Sequence, residues 1–180
     1  LWNVPDKKWL TVLPIDAYEI QAIAFSPSGR QLAVAAGDSL TIWDTSTFQK
    51  LHEVKIEHGA DALFYAPDGS NLAFAGGGQV QILDATSGTV RQEFTLGDSY
   101  ALALHFSADG KRLFYAGSIE RLGWDLPSGK TLYSIFTTPD RYGKAAMTSN
   151  LGVFWQWDSN HYYFDPSSNP QWQNAFHFFD

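Results

Sequence analysis

The chain has 180 residues, enough for one domain with a sizeable core, and its 44% hydrophobic and 17% charged content is that of a globular chain. A net charge of -7 argues against a general affinity for nucleic acid or anionic lipid, and no apolar run reaches the ~20 residues of a membrane helix. With no cysteine, disulfides and thiolate metal sites are excluded, while the compartment stays open.

The chain opens at Leu1 within what reads as a strand, with no targeting segment visible, so a piece of a longer protein is expected. From there one pattern returns. Trp2-Asn3 comes first, then Trp43-Asp44, Leu83-Asp84, Trp124-Asp125 and Phe164-Asp165, at spacings of 41, 40, 41 and 40 residues. Ahead of the middle three anchors stand Phe25-Ser26-Pro27-Ser28-Gly29, Tyr65-Ala66-Pro67-Asp68-Gly69 and Phe106-Ser107-Ala108-Asp109-Gly110. Self-similarity at such a period marks a stacked-repeat architecture. The units run approximately 1–13 (a half unit), 14–54, 55–95, 96–136 and 137–180, within one domain.

Each unit reads as four short strands. In the second full unit the apolar runs are Ala62 to Tyr65, Leu72 to Ala75, Val80 to Leu83 and Val90 to Phe94. Pro67-Asp68-Gly69, Gly76 to Gly78 and Thr86-Ser87-Gly88 separate them, and such residues turn the chain by positive φ and local hydrogen bonds. Asp44, Asp84, Asp125 and Asp165, with Asn3, end the third strand, where a short side chain can accept backbone N–H groups two residues on. The residue before each, Trp2 included, is expected as a core plug. Leu13, Val54, Phe94, Ile135 and Ala175 stand ten residues after these turn residues as an apolar position of the outer strand. No segment carries a helical apolar stripe.

The order F-S-P-D-G, small-residue strand, W-D resembles the WD-repeat family of β-propellers. The resemblance covers nearly the whole chain and is strongest from Ile15 to Phe136. It implies an all-β fold of four-stranded antiparallel propeller blades, about four full blades plus two strands of another, in an incomplete ring. It further implies that Trp43 and Trp124 pack between blades and that Asp44 and Asp125 close tight turns. The family's Gly-His pair is missing, since His58-Gly59 is reversed and too near Tyr65. Strand two offers Ala35, Ala75 and Ala116 in place of hydroxyls. These blades are therefore expected to hold by packing. Further blades outside these residues, or a second copy, would close the ring.

Catalytic signatures are sparse. The histidines His52, His58, His105, His161 and His177 are scattered, and no nucleophile elbow or calcium ladder occurs, so no catalytic residue, metal or cofactor is expected. Gly76 to Gly78 read as a hairpin turn, and His105 as a buried, hydrogen-bonded histidine on an inner strand. The loops at one end of the blades carry Asp16, Glu19, Asp38, Glu57, Asp61, Asp98, Glu120, Asp140 and Asp158 against Lys55, Arg121, Arg141 and Lys144. Tyr18, Tyr100 and Tyr142 interleave with them, and Trp157 stands where the sister units have small residues. A solvated acidic face and a heavier aromatic core are the plain readings. The sharper one is a scaffold whose face (Asp16, Tyr18, Glu19, Asp38, Asp98, Tyr100, Glu120, Asp140, Arg141, Tyr142, Trp157, Asp158) receives a basic or polar segment of a protein or peptide partner. A propeller hydrolase, lyase or quinone-dependent enzyme with its site at the central channel, and a purely structural segment of a larger protein, are the alternatives.

Overall fold

Apolar runs of four to six residues alternate with turn-forming clusters, and each group of four runs folds into one antiparallel sheet. The computed structural model describes residues 1–97, 99–136, 144–147 and 154–157, with 135–136, 144–147 and 154–157 described as backbone. A hairpin of β1 (Trp2–Asn3) and β2 (Lys8–Trp9) comes first. Three four-stranded sheets follow: β3 (Ile20–Phe25), β4 (Gln31–Ala36), β5 (Ser39–Asp44) and β6 (Lys50–Lys55); β7 (Ala62–Tyr65), β8 (Asn71–Gly76), β9 (Gln79–Asp84) and β10 (Val90–Thr95); β11 (Ala101–Phe106), β12 (Arg112–Gly117), β13 (Glu120–Asp125) and β14 (Lys130–Phe136). A last pair joins β15 (Lys144–Met147) to β16 (Phe154–Trp157). Every pairing is antiparallel between successive strands, and the described residues contain no helix. The first strands β3, β7, β11 and β15 are spatial neighbours in that order, so they form the inner wall of a propeller arc.

The third-to-fourth-strand turns close as the Asp positions require. Asp44 Oδ1 accepts the Ser46 and Thr47 N–H groups at 2.8 Å each and both hydroxyls; Asp84 Oδ1 accepts Thr86 and Ser87 N–H at 2.8 Å each. Asp125 Oδ2 accepts the Ser128 N–H at 3.1 Å, and Asn3 Oδ1 accepts that of Asp6 at 3.0 Å. The Ser46 hydroxyl, then the backbone amides, hold the Asp44 carboxyl at about 2, below its ordinary 3.8. The Ser87 and Thr86 amides, aided by Arg91, hold Asp84 at about 2 as well. Phe48 takes a φ of 59° in the first turn, where Gly88 and Gly129 stand in its sisters at 72° and 68°.

Sheet packs on sheet by a repeated small-against-large fit. Ala33, Ala35, Leu40 and Ile42 of the first full sheet pack with Leu63, Tyr65, Leu72, Phe74 and Leu83 of the second. Ala73, Ala75, Val80 and Ile82 of the second then pack with Leu104, Phe106, Leu113, Tyr115 and Trp124 of the third. Trp124 stacks on Phe94 at 4.6 Å, and Trp43 sits among Leu1, Leu13 and Ile15. Trp2 departs from the expected plug. It is 53% exposed, meeting Trp9 edge-on at 6.4 Å, because no described sheet lies against that side of the hairpin. For the same reason Ile23 and Phe25 are 59% and 55% exposed, whereas the equivalent Leu63 and Tyr65 are buried.

One pair in the third sheet inverts the usual sizes. Opposite strand positions carry Ile42 with His52 and Ile82 with Gln92, but Gly123 with Tyr133. A Cβ on Gly123 would lie 2.5 Å from the Tyr133 ring, which fills the space an isoleucine occupies elsewhere. Gly123→Ile should therefore cost about 1–3 kcal/mol by overpacking and Tyr133→Gln a similar amount through the void, yet the double variant, which restores the Ile82–Gln92 combination, should lose at least about 1 kcal/mol less than their sum. Urea denaturation reads all three, and additive losses would contradict the fit. Asp44 and Asp84 give a second expectation. Their depressed pKa values mean that the stability they add is complete above the ordinary carboxylate range and is lost as pH falls from about 4 toward 2. Thermal melts of the Asp44→Asn, Asp84→Asn double variant should show a flatter dependence across that window, and an unchanged dependence would refute the assignment.

Candidate functional site

The connections from an outer strand to the next inner strand, and the turns from second to third strands, lie at one end of the arc. Register places them there: Ile20 pairs with Ala36, Ala62 with Ala75, and Ala101 with Gly117. At this end Asp16, Tyr18, Glu19, Asp38, Glu57, Asp61 and Tyr100 are exposed, Tyr18 fully and Tyr100 by 78%. Among the described residues of this end Lys55 is the exposed cation. Lys144 opens β15 and Trp157 ends β16 here, placed by their backbone alone. Asp98, Asp140, Arg141, Tyr142, Asp158 and the anchor Asp165 lie outside the described residues.

Two of the loops are held rigidly. The β8–β9 turn has positive φ at Gly77 (58°) and Gly78 (76°), as a tight hairpin demands. Gly76 is needed for another reason, because a Cβ there would lie 2.3 Å from the Gly59 carbonyl oxygen. The loop of Glu57, His58 and Gly59 thus rests on the glycine hairpin, with His58 itself at a φ of 69°. From the neighbouring sheet, Gln21 Oε1 accepts the Ala60 N–H at 3.4 Å. The β10–β11 loop is tied to the β12–β13 turn: Tyr115 donates its hydroxyl to Ser99 O at 3.1 Å, Ser118 N–H bonds Tyr100 O at 3.0 Å, and Ser118 Oγ accepts the Tyr100 N–H at 3.3 Å. Burial raises the Tyr115 pKa, which keeps that hydroxyl a donor.

Three expectations need correction. Glu120, placed by its position among the exposed acids, is 2% exposed; its carboxylate turns inward and Oε1 accepts the Gly97 N–H at 2.9 Å, clamping the same β10–β11 loop. Arg121 is 4% exposed, at the strand position of Leu40 and Val80, and donates to the carbonyls of Gly117 and Glu120. Burial lowers its pKa. Neither is a surface charge. His105 is only half-buried and its Nδ1, itself buried, has no hydrogen-bond partner; the ring packs on Phe64 at 4.3 Å, and burial holds its pKa down. Sequence reasoning missed the clamping roles of Gln21, Glu120 and Ser99, whose partners lie 16 or more residues away along the chain and leave no local signature. Among the described residues, no group of three or more His, Asp or Glu side chains comes together as metal ligands, and no helix is long and apolar enough to cross a membrane.

No family model matches the chain. Over 103 residues, 57% of this chain, it is 25% identical to WD repeat-containing protein 3 of Mus musculus, of which that stretch is 11%. The arrangement of strands is shared with the crystal structure of the RRP9 WD40 repeats (TM-score 0.67, 19% identity, 72% of this chain and 42% of that one) and with the structure of U3-55K (0.69, 18%, 82% and 51%). It is shared too with Kuenenia stuttgartiensis hydrazine synthase (0.62, 23%, 81% and 46%). The chain therefore has a WD-repeat-type β-propeller fold, and it spans about half or less of the length of the solved chains it matches. Since one of these chains is named as an enzyme, the architecture alone does not decide between scaffold and catalyst.

The close approach at Gly76 makes a direct expectation for the site. Gly76→Ala must push the Gly59 carbonyl away, costing about 1–3 kcal/mol, and should raise hydrogen exchange in residues 57–61 above that in the β3–β6 sheet. Gly110→Ala, with φ 69° and no backbone within 4 Å of the added carbon, is the strain-only control; equal exchange changes at 57–61 in both variants would dismiss the close-approach account.

Proposed function

We propose that the protein is a protein-interaction scaffold whose acidic, tyrosine-bearing end receives a basic segment of another protein. WD-repeat neighbours support the scaffold reading in general. What carries the specific reading is the exposure of Tyr18 and Tyr100 among Asp16, Glu19, Asp38, Glu57 and Asp61, on an end where two loops are locked by the Gly76 and Glu120 contacts. Tyrosine offers a rigid amphipathic contact at low entropic cost, and a loop already ordered loses little more on binding. Carboxylates of one sign steer an oppositely charged partner and suppress others.

An octalysine peptide serves as the probe. Its affinity should fall as salt rises, and the Asp16→Asn, Asp38→Asn, Glu57→Gln triple variant should weaken binding about tenfold, mainly through slower association. Tyr100→Ala should weaken it separately, by about 1–2 kcal/mol, through the dissociation rate. Isothermal calorimetry and surface plasmon resonance read both. Undiminished binding by the triple variant would remove this end from the function.

A further inference from the structure

The inner wall repeats a small side chain at one height. Ala22, Ala62 and Ala103 pair with Ala35, Ala75 and Ala116, so they occupy the same place in β3, β7 and β11. One residue earlier stand Gln21, Asp61 and Leu102, likewise equivalent. Register shifts between Ile20 and Ala22, and between Ala101 and Ala103, fall on Gln21 and Leu102, and a bulge re-aims the side chain it carries. The alanine row leaves depth where larger residues would fill the wall. An open cavity of about 470 Å³ results, lined by these two rows together with Phe64 and His105.

Its chemistry is one-sided. Asp61 is exposed and, among the described residues, is the only carboxylate in the lining, with no Lys or Arg beside it. Leu102, 46% exposed, and the half-buried Phe64 supply apolar walls. His105 packs at a tilt on Phe64, and burial lowers its pKa from an ordinary value already below 7, so it adds no charge opposing a cation near pH 7. Gln21 already spends its carbonyl oxygen on Ala60. A single carboxylate beside an apolar slot suits a long aliphatic stem with a cationic head. Leu102 and Phe64 would carry the stem and Asp61 the head of such a side chain.

We propose that this cavity holds one Lys or Arg side chain of the basic segment, inserted from the acidic end into the inner wall. The inference rests on the scaffold reading above and adds to it where the segment enters. Two capped residues serve as probes: Nα-acetyl-lysine amide and Nα-acetyl-norleucine amide, which keeps the four-carbon stem without the ammonium, titrated into the labelled chain by NMR. The lysine probe should shift His105 and Phe64 resonances, the norleucine probe should not, and Asp61→Asn should weaken the lysine probe about tenfold while Glu93→Gln, on the exposed face of the outer strand β10, leaves it unchanged. Leu102→Lys, which places a cation of the chain's own in the slot, should abolish the shifts with unaltered circular dichroism. Equal shifts from norleucine, or indifference to Asp61→Asn, would overturn the cavity inference. Octalysine binding with no shift at His105 or Phe64 would overturn it too, while leaving the acidic-end reading standing. Lysine-probe shifts that depend on Asp61, with no octalysine binding, would instead sink the acidic-end reading and keep the cavity.

Discussion

The structure depends on how alanines in one sheet admit the large side chains of the next. Ala33 and Ala35 are wholly buried against a surface built from Leu63, Tyr65, Leu72, Phe74 and Leu83, and Ala73 and Ala75 meet the next such surface. Each large apolar side chain so buried contributes about 1.5–3 kcal/mol, against about 1 for a typical hydrogen bond, so several of them outweigh any single polar link. Polar links are few between these sheets. The Trp43 indole donates to Thr41 Oγ1 at 2.9 Å, and Thr41 returns its hydroxyl to Val34 O at 3.3 Å, all within one sheet. Gln31 to Ala85 O and Gln92 to Leu126 O cross from sheet to sheet, which sets their alignment more than their adhesion.

That packing also shapes the functional end. Pairing of β7 with β8 carries the end of the β6–β7 loop onto the β8–β9 hairpin, so that only glycine fits at residue 76. The Glu120 carboxylate turns inward beneath the β10–β11 loop and accepts the Gly97 amide, which ties that loop to the start of β13. The result is an uneven surface. Asp16, Asp38, Glu57 and Asp61 face water, while the charges of Glu120 and Arg121 hold the interior of the same end in place. Tyr100 is held by Ser118, whose N–H donates to the Tyr100 carbonyl and whose Oγ accepts the Tyr100 N–H.

The inner wall follows from the same constraint. First strands stand side by side only because the sheets behind them pack at a repeated spacing, and the repeat brings Ala22, Ala62 and Ala103 to one height. Equivalent positions then differ by one residue per sheet, Gln21, Asp61 and Leu102, so a uniform scaffold presents a chemically asymmetric cavity. Repeat folds acquire function in this way: packing positions are kept alike and the exposed row is varied.

Strand order, turn positions and the four-stranded unit were written into the chain itself. The Phe25, Tyr65 and Phe106 motifs, the Asp44, Asp84 and Asp125 turns and the Gly77–Gly78 hairpin are local, since residues within a few positions of one another supply both the φ values and the hydrogen-bond partners. Only the tertiary structure decided which residues met water. Trp2 and Trp124 share one sequence role, yet Trp2 is open and Trp124 buried, because a side chain's burial belongs to whatever sheet lies against it. Glu120 and Asp38 occupy neighbouring places in two equivalent turns, yet the Glu120 carboxylate turns in to the Gly97 amide while Asp38 is exposed and meets the Ile56 amide through its carbonyl. Gly76 reads as a turn residue but is demanded by a carbonyl seventeen residues earlier in the chain. Contacts of that separation form only when strands pair and sheets stack, and no pattern of neighbours along the chain encodes them.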